Sequence, residues 1–323
     1  MEVTETDPLT HGLIGASLAA LSGHPLQLND PVFLGCTLGA MLPDLDIVTH
    51  YKGRLNYLLK HRGASHSLLA LSGMALGLSA LLYVVFPTTA WSSIFFWTLV
   101  GVFSHGLFDV LNSYGAKLFW PFIDKRITIN MAMLTEPVIF TVFLSSAIFT
   151  WSIPSLATQS TVAAFALSSL YLAYREYSRA KVRKRLINVY HLKDKSQVRV
   201  LPAMYRPFNW NFLLIQKKSV RFGTVRKNTP TIEQVLPRWD ESDPYVAAAK
   251  DGMVAGIFDE FTPYYHILTK QDEDEFKIEF LDLRYWTKGN FLYSGKVVMD
   301  CHGQIASESF HHVPNKEGIL LSY

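Results

Sequence analysis

Residues 66–86 read HSLLALSGMALGLSALLYVVF, an unbroken run without Asp, Glu, Lys or Arg. A helix rises about 1.5 Å per residue, so about 20 residues cross a hydrocarbon core of roughly 30 Å. Working outwards, residues 91–108 form a second apolar run, closed by Asp109, and residues 137–153 and 157–174 form two more. Upstream, residues 12–23 and 31–43 are apolar but shorter. The expectation is a mainly α membrane domain, a helical bundle of about six apolar helices over residues 1–175. Gly12, Gly15, Gly35, Gly39, Gly73 and Gly77 recur within these runs and suit close helix approach in lipid.

Beyond residue 175 the chain changes character. Residues 176–196 are basic and read as a juxtamembrane linker. Residues 197–323 read as a small soluble α+β domain rich in strands. Val198–Leu201, Phe212–Gln216, Ser219–Val225, Phe276–Leu281 and Phe291–Met299 carry β-branched and aromatic residues between turn signals, and residues 244–260 look helical. The charge run Lys270 to Glu275 reads as a solvated loop. Over the whole chain, 49% of residues are hydrophobic, 18% are charged, and mean hydropathy is +0.15. The net charge of +3 is too small for the dominant basic face of a nucleic-acid-binding protein. Two cysteines, Cys36 and Cys301, exclude a disulfide framework. The acidic start of the chain is unlike a cleavable signal.

The loops predict an orientation. Arg175, Arg179, Lys181, Arg183, Lys184 and Arg185 follow the last apolar run, which places the C-terminal half in the cytoplasm by the positive-inside rule. Counting back through six spans puts the loop 110–132, with Lys117, Lys125 and Arg126, on the same side. The loop 44–65, with Lys52, Arg54, Lys60 and Arg62, falls there too. The expected location is the cytoplasmic (inner) membrane.

Ionisable groups at the ends of these runs are costly unless they have a purpose. His105 and Asp109 are spaced i, i+4 on one helix face, so both can reach one ion. In Leu42-Pro43-Asp44-Leu45-Asp46, the proline ends an apolar run and two carboxylates follow. Two such charges repel unless a cation or shared proton relieves them. In His61-Arg62-Gly63-Ala64-Ser65-His66-Ser67, Ser65 is placed to cap the helix that carries His66. Arg62 has the planar fork that suits phosphate, or else serves as an inside-facing charge. His11 falls in the first turn of a helix that starts near Thr10. The span count places all seven groups, His11, Asp44, Asp46, His61, His66, His105 and Asp109, on one membrane side, and nothing in that count used them. Glu136 opens the fifth run and reads as a helix N-terminal charge, with a ligand role as the alternative. Asn112, Ser113 and Tyr114 either line the site or make a turn.

Taken together, Thr10-His11-Gly12-x-x-Gly15, Leu42-Pro43-Asp44-Leu45-Asp46, His61-Arg62-Gly63-x-Ser65-His66-Ser67 and His105-x-x-x-Asp109 with Asn112-Ser113-Tyr114-Gly115 resemble the YdjM-like family of membrane-bound metal-dependent hydrolases. The strings cover roughly residues 7–125. That family is distantly similar to zinc-dependent phospholipase C and zinc single-strand nucleases. The resemblance implies metal binding by His11, Asp44 or Asp46, His66 and the His105/Asp109 pair, with Asp109 as the bridging carboxylate. The phospholipase pattern has a third metal site with histidines further downstream. This chain has no histidine between His105 and His191, which implies at most two ions.

The expected function is therefore hydrolysis of a phosphoester, lipid-linked if the site lies at headgroup level. One or two divalent ions would assist, zinc suiting the mixed donors and manganese or nickel being compatible. Asp44 or Asp46 acts as ligand or general base, and Arg62 holds phosphate. The alternatives are a metal-ion transporter, a metal-stabilised scaffold, or a membrane anchor for an active C-terminal domain. The expected partners are the lipid bilayer and the substrate.

Overall fold

The structure, a computed structural model, describes residues 8–272, 275–300, 302–312 and 319–321. Asp7 and Cys301 lie outside the described residues, as do the side chains of Lys52 and Arg54 that the orientation count used. The chain divides into two compact units, Met1–Tyr177 and Ser178–Tyr323.

The first unit is helical. Its elements are α1 (Pro8–Ala19), α2 (Pro31–Met41), a 3-10 segment (Leu42–Lys52), α3 (Arg54–Lys60), a single 3-10 turn (Ala64–His66), α4 (Leu68–Val85), α5 (Trp91–Asp109) and α6 (Pro137–Ser152). The helix α7 (Ala157–Val189) begins here. All six expected apolar helices are present, but four are long and apolar enough to cross a membrane: Pro31–Val48, Leu68–Val85, Trp91–Asp109 and Pro154–Val189. Helix α6, at 16 residues, and α1, at 12, fall short. Helix α2 reaches the required length only because the 3-10 segment prolongs it.

Local signals account for the boundaries. Asp30 caps α2, accepting bonds from Val32 N–H at 3.0 Å and Phe33 N–H at 2.9 Å, with Pro31 in the first position. Ser67, not Ser65, caps α4 by accepting from Ala70 N–H at 3.2 Å. His66 therefore sits in the 3-10 turn before the helix, not in its first turn. The misreading arises because two serines flank His66 and only the structure shows which one the chain turns at. Ser67→Ala is expected to lower stability by about 1 kcal/mol, read as a lower thermal midpoint.

Helix α4 buries one stripe, Leu71, Ala75, Ser79 and Leu82, and leaves Leu69, Leu76, Leu81, Val84 and Val85 exposed. An apolar surface on every side suits lipid rather than water. Helices α2 and α5 meet almost backbone to backbone. A Cβ built on Gly101 would lie 2.1 Å from the Cys36 carbonyl oxygen, and one on Gly39 would lie 2.9 Å from the Thr98 carbonyl oxygen. Gly15 likewise lets α1 approach Ala40 and Cys36 of α2. Gly73 and Gly77 meet nothing within 4 Å, so they do not serve the close packing expected of them. Helices α1, α6 and α7 share a core of Ile14, Ile139, Phe143 and Ala164.

In the second unit, the stretch expected as a linker is helical up to Val189. Val182 and Leu186 bury against Val198, Val200, Trp210 and Phe212, which explains why the helix persists. The strands are β1 (Val198–Pro202), β2 (Trp210–Ile215), β3 (Ser219–Arg226), β4 (Thr229–Pro237), β5 (Tyr265–Asp272), β6 (Glu275–Asp282), β7 (Trp286–Thr287), β8 (Asn290–Phe291), β9 (Tyr293–Met299), β10 (Ile305–His312) and β11 (Ile319–Leu321). Helices α8 (Pro244–Lys250) and α9 (Met253–Phe261) lie between β4 and β5. Strands β1-β2-β3-β4 form one antiparallel sheet and β11-β10-β9-β6-β5 a second. Lys270 to Asp272 and Glu275 belong to the β5–β6 hairpin rather than to a loop. Their charges are compatible with strand structure because both strands are long and well paired over Tyr265–Asp282.

Candidate metal centre

Four separate stretches of the first unit converge. Helix α1 brings His11, the 3-10 segment brings Asp44 and Asp46, the 61–66 stretch brings His61, Arg62 and His66, and the end of α5 brings His105 and Asp109. His66, His105 and Asp109 are fully buried. His66 Nε2 lies 3.1 Å from His105 Nε2. Asp109 Oδ2 is 3.3 Å from the first nitrogen and 3.2 Å from the second. Asp44 Oδ1 is 3.5 Å from His105 Nε2 and 3.9 Å from His66 Nε2. His11 stacks on His105 with ring centroids 3.9 Å apart, and its Nε2 lies 3.5 Å from Asp109 Oδ1. Two overlapping sets have the spacing to hold an ion, His66/His105/Asp109 and His11/Asp44/His105.

The partners on the far side of each ring fix its protonation. His105 Nδ1 lies 2.8 Å from the Ala40 carbonyl oxygen, which can only accept. The proton therefore sits on Nδ1, so that in the neutral ring Nε2 presents a lone pair. Ser65 Oγ donates to Asp46 Oδ2 at 3.1 Å and lies 3.0 Å from His66 Nδ1. It accepts from that nitrogen, leaving a lone pair on His66 Nε2 as well. Burial pushes the His66 imidazole down to about 4, so it is neutral near pH 7. Two imidazole Nε2 atoms and the oxygens of two carboxylates thus face one another in a buried interior. Neither oxygen of Asp44 has a hydrogen-bond partner among the described residues. Such a set is repulsive without a positive charge at its centre, and the donors fit a divalent ion.

The two aspartates of the 42–46 string separate here. Asp44 faces the cluster. Asp46 stands behind it, 2.7 Å from His61 Nδ1 through Oδ1 and bonded to Ser65 and to Arg62 N–H through Oδ2. His61 is thus held away from the cluster by Asp46 and belongs to neither ion-spaced set. Asp44→Asn is expected to abolish metal retention. Asp46→Asn should weaken affinity about 10- to 100-fold, as loss of an outer partner does. Metal titration of the purified variants checks both.

Arg62 is neither solvent-facing nor open to a ligand in the way the sequence suggests. It is buried, and its Nη2 lies 2.9 Å from Asp109 Oδ1. Its φ of 55° is left-handed, a cost for a side chain other than glycine. The surroundings hold it there: Arg62 N–H donates to Asp46, and its carbonyl accepts from Lys117 N–H at 3.1 Å. This reversal separates two roles within one short stretch: His61 is held by Asp46, and His66 faces the cluster.

Asn112, Tyr114 and Gly115 form the turn that braces that stretch. Asn112 Oδ1 accepts from Tyr114 N–H at 2.8 Å and Gly115 N–H at 3.1 Å. Tyr114 donates its hydroxyl to the Leu58 carbonyl. Arg126, read from sequence as a topogenic charge, donates to the carbonyls of Leu59 and His61, both at 3.1 Å, and lies over the Tyr114 ring. Nothing in the sequence around Arg126 marks that role, because its partners lie more than sixty residues away. Glu136 occupies the N-cap position of α6, as expected of a helix N-terminal charge, but its side chain makes no cap bond. Its carboxylate accepts from Met133 N–H at 2.7 Å and the Tyr171 hydroxyl at 2.8 Å, and it joins neither ion-spaced set.

Comparison with known proteins gives three results. The family model described as YdjM inner membrane protein matches residues 6–182. A model described as YfhP C-terminal alpha/beta plait domain matches residues 244–319. The chain is also similar to a Bacillus subtilis (strain 168) protein described as uncharacterized protein YfhP, 25% identical over 295 residues and 89% of each chain. No solved structure matches.

Proposed function

Because the chain belongs to the YdjM inner membrane protein family, we propose that its buried centre makes it a membrane-bound, metal-dependent phosphoester hydrolase. One observation carries this reading. The Nε2 atoms of His66 and His105 converge with Asp109 Oδ2 and with the Asp44 carboxylate, whose oxygens take part in no hydrogen bond among the described residues. His66, His105, Asp109 and Asp44 would hold the ion, with His11 completing the set from α1. His105 offers a single nitrogen to both ion-spaced sets, and Arg62 stands on the second oxygen of Asp109. Both facts favour one ion over two. Zinc is the metal that a mixed imidazole and carboxylate set suits best.

A divalent ion held by these residues would supply Lewis acidity and would lower the pKa of water at the site to about 7. The protein's own groups do the rest. Ala40 and Ser65 keep both Nδ1 protons in place, so the donor nitrogens cannot change tautomer. Arg62 offsets the charge of Asp109 and fixes its rotamer, and acts as a positioning residue rather than as the phosphate clamp expected from its fork. The Asp44 carboxylate has an oxygen to spare for taking a proton from the attacking water. The site lies where apolar helices end, which supports a substrate whose phosphate sits at headgroup depth. The basic loops support placing that end in the cytoplasm.

The full chain in detergent is expected to hydrolyse a phosphodiester probe, to lose that activity on chelation, and to recover it with added zinc. Hydrolysis that survives both chelation and His105→Ala would overturn the proposal. Metal-dependent flux in vesicles without hydrolysis would assign the centre to transport.

A further inference from the structure

A second feature lies within Ser178–Tyr323, on the C-terminal part of α7. A solvent-open cavity of about 270 Å³ is lined by Lys181, Lys184, Arg185 and Asn188, with Asn228 opposite and Val182 and Val189 as its apolar part; all of these but Val182 are exposed. That is close to the roughly 300 Å³ at which small-ligand pockets begin. No carboxylate lines it. Lys181, Lys184 and Arg185 have no ion-pair partner among the described residues. Asn228 comes from the two-residue turn joining β3 to β4, where Arg226 pairs with Thr229. Lys227 and Asn228 have φ of 48° and 67°, the left-handed pair that a tight hairpin needs. The turn therefore presents a neutral amide donor at a fixed place opposite three cations.

Orientation by positive charge, or interaction with the C-terminal end of the helix, accounts for the lysines and arginine. Neither accounts for a cavity that sets the amide of a hairpin turn opposite three cations with no acid in its lining. We propose that this cavity binds the phosphate of an anionic phospholipid headgroup. The chemistry is that of a phosphate ester: several cations, amide donors, no acid and an apolar rim for the adjoining ester. The position favours lipid over a soluble phosphate. The apolar run of α7 ends at Tyr174, and at about 1.5 Å per residue Lys181 stands about 10 Å further along the helix. Headgroup layers add roughly 5 to 8 Å on each side of the hydrocarbon core. Side chains on a helix lean towards its N-terminus, so the long Lys181 chain reaches back towards the bilayer.

The test is native mass spectrometry of the full chain released from detergent, with phosphatidylglycerol, phosphatidylcholine or inorganic phosphate added. The chain is expected to retain phosphatidylglycerol in preference to phosphatidylcholine. Lys181→Gln/Lys184→Gln/Arg185→Gln should weaken that retention at least about tenfold. Asn228→Gly, which the turn accepts, should weaken it severalfold. Lys193→Gln/Lys195→Gln, which removes charge outside the cavity, should leave it unchanged. Equal retention of both lipids would overturn the proposal, as would an Asn228→Gly protein that binds like the parent. So would equal losses from the two charge-neutralised variants, which would indicate diffuse attraction. Binding of inorganic phosphate without a preference for phosphatidylglycerol would overturn the lipid assignment.

Discussion

The His105→Ala protein is expected to fold, to purify with almost none of the parent's metal, and to lose phosphoester hydrolysis by more than about 100-fold. The magnitude follows from position. Loss of an outer partner of a metal ligand already costs about 10- to 100-fold, and His105 stands inside that layer. It is the residue common to both ion-spaced sets, and its Nε2 is within 3.5 Å of donor atoms on His66, Asp109 and Asp44. Removing the ring also frees the Ala40 carbonyl and leaves His11 without its stacking partner. His105→Gln keeps polarity but not the geometry, and should lose metal as completely. A His105→Ala protein that retains full metal would show that the cluster is held by hydrogen bonds and shared protons instead.

Gly101→Val is expected to be the most damaging single change in the helical unit, at about 3 kcal/mol or more, beyond ordinary overpacking costs. The first added carbon would lie 2.1 Å from the Cys36 carbonyl oxygen and 3.0 Å from Cys36 Cα, both backbone atoms that cannot rotate away. Helices α2 and α5 would have to separate. Helix α5 carries His105 and Asp109, while α2 carries Ala40 and leads directly into Asp44. The same change should therefore weaken metal affinity, although Gly101 is no ligand and lies a full helical turn before His105. Gly77→Val, at a site with open space around it, is the matched control and should be tolerated. Thermal midpoint and metal content of the two variants check the pair. Equal behaviour would mean that the α2–α5 contact is not what sets the cluster.

The apolar helices were legible because composition alone marks a segment with no charge over twenty residues. Their ends were less so. Helix α7 runs to Val189 because Val182 and Leu186 bury against a sheet, while the charges between them face outward and read as a linker. Strand β4 is not legible in the sequence because Pro230 and Pro237 interrupt its pattern. It lies at the edge of its sheet, where proline is tolerated. Strand β10, with Ser307, Glu308, His311 and His312, is too polar to announce itself.

In the site, the residue types and the His105/Asp109 spacing were readable from local sequence. What each group does was not. Asp44 and Asp46 are two residues apart and chemically identical, yet one faces the cluster and the other holds His61 and Ser65. Arg62 is committed to Asp109, a partner 47 positions away. Such roles depend on which distant segment the fold brings alongside, and no local pattern encodes that.

X-ray absorption on the metal-loaded full chain tests the central claim most directly. The predicted result is one divalent ion per chain, with a shell of nitrogen and oxygen donors at about 2.0–2.2 Å. Imidazole scattering from at least two histidines should be present and should fall in His66→Ala. A folded chain that takes up no ion at neutral pH, or one whose ion has no histidine ligands, would contradict it.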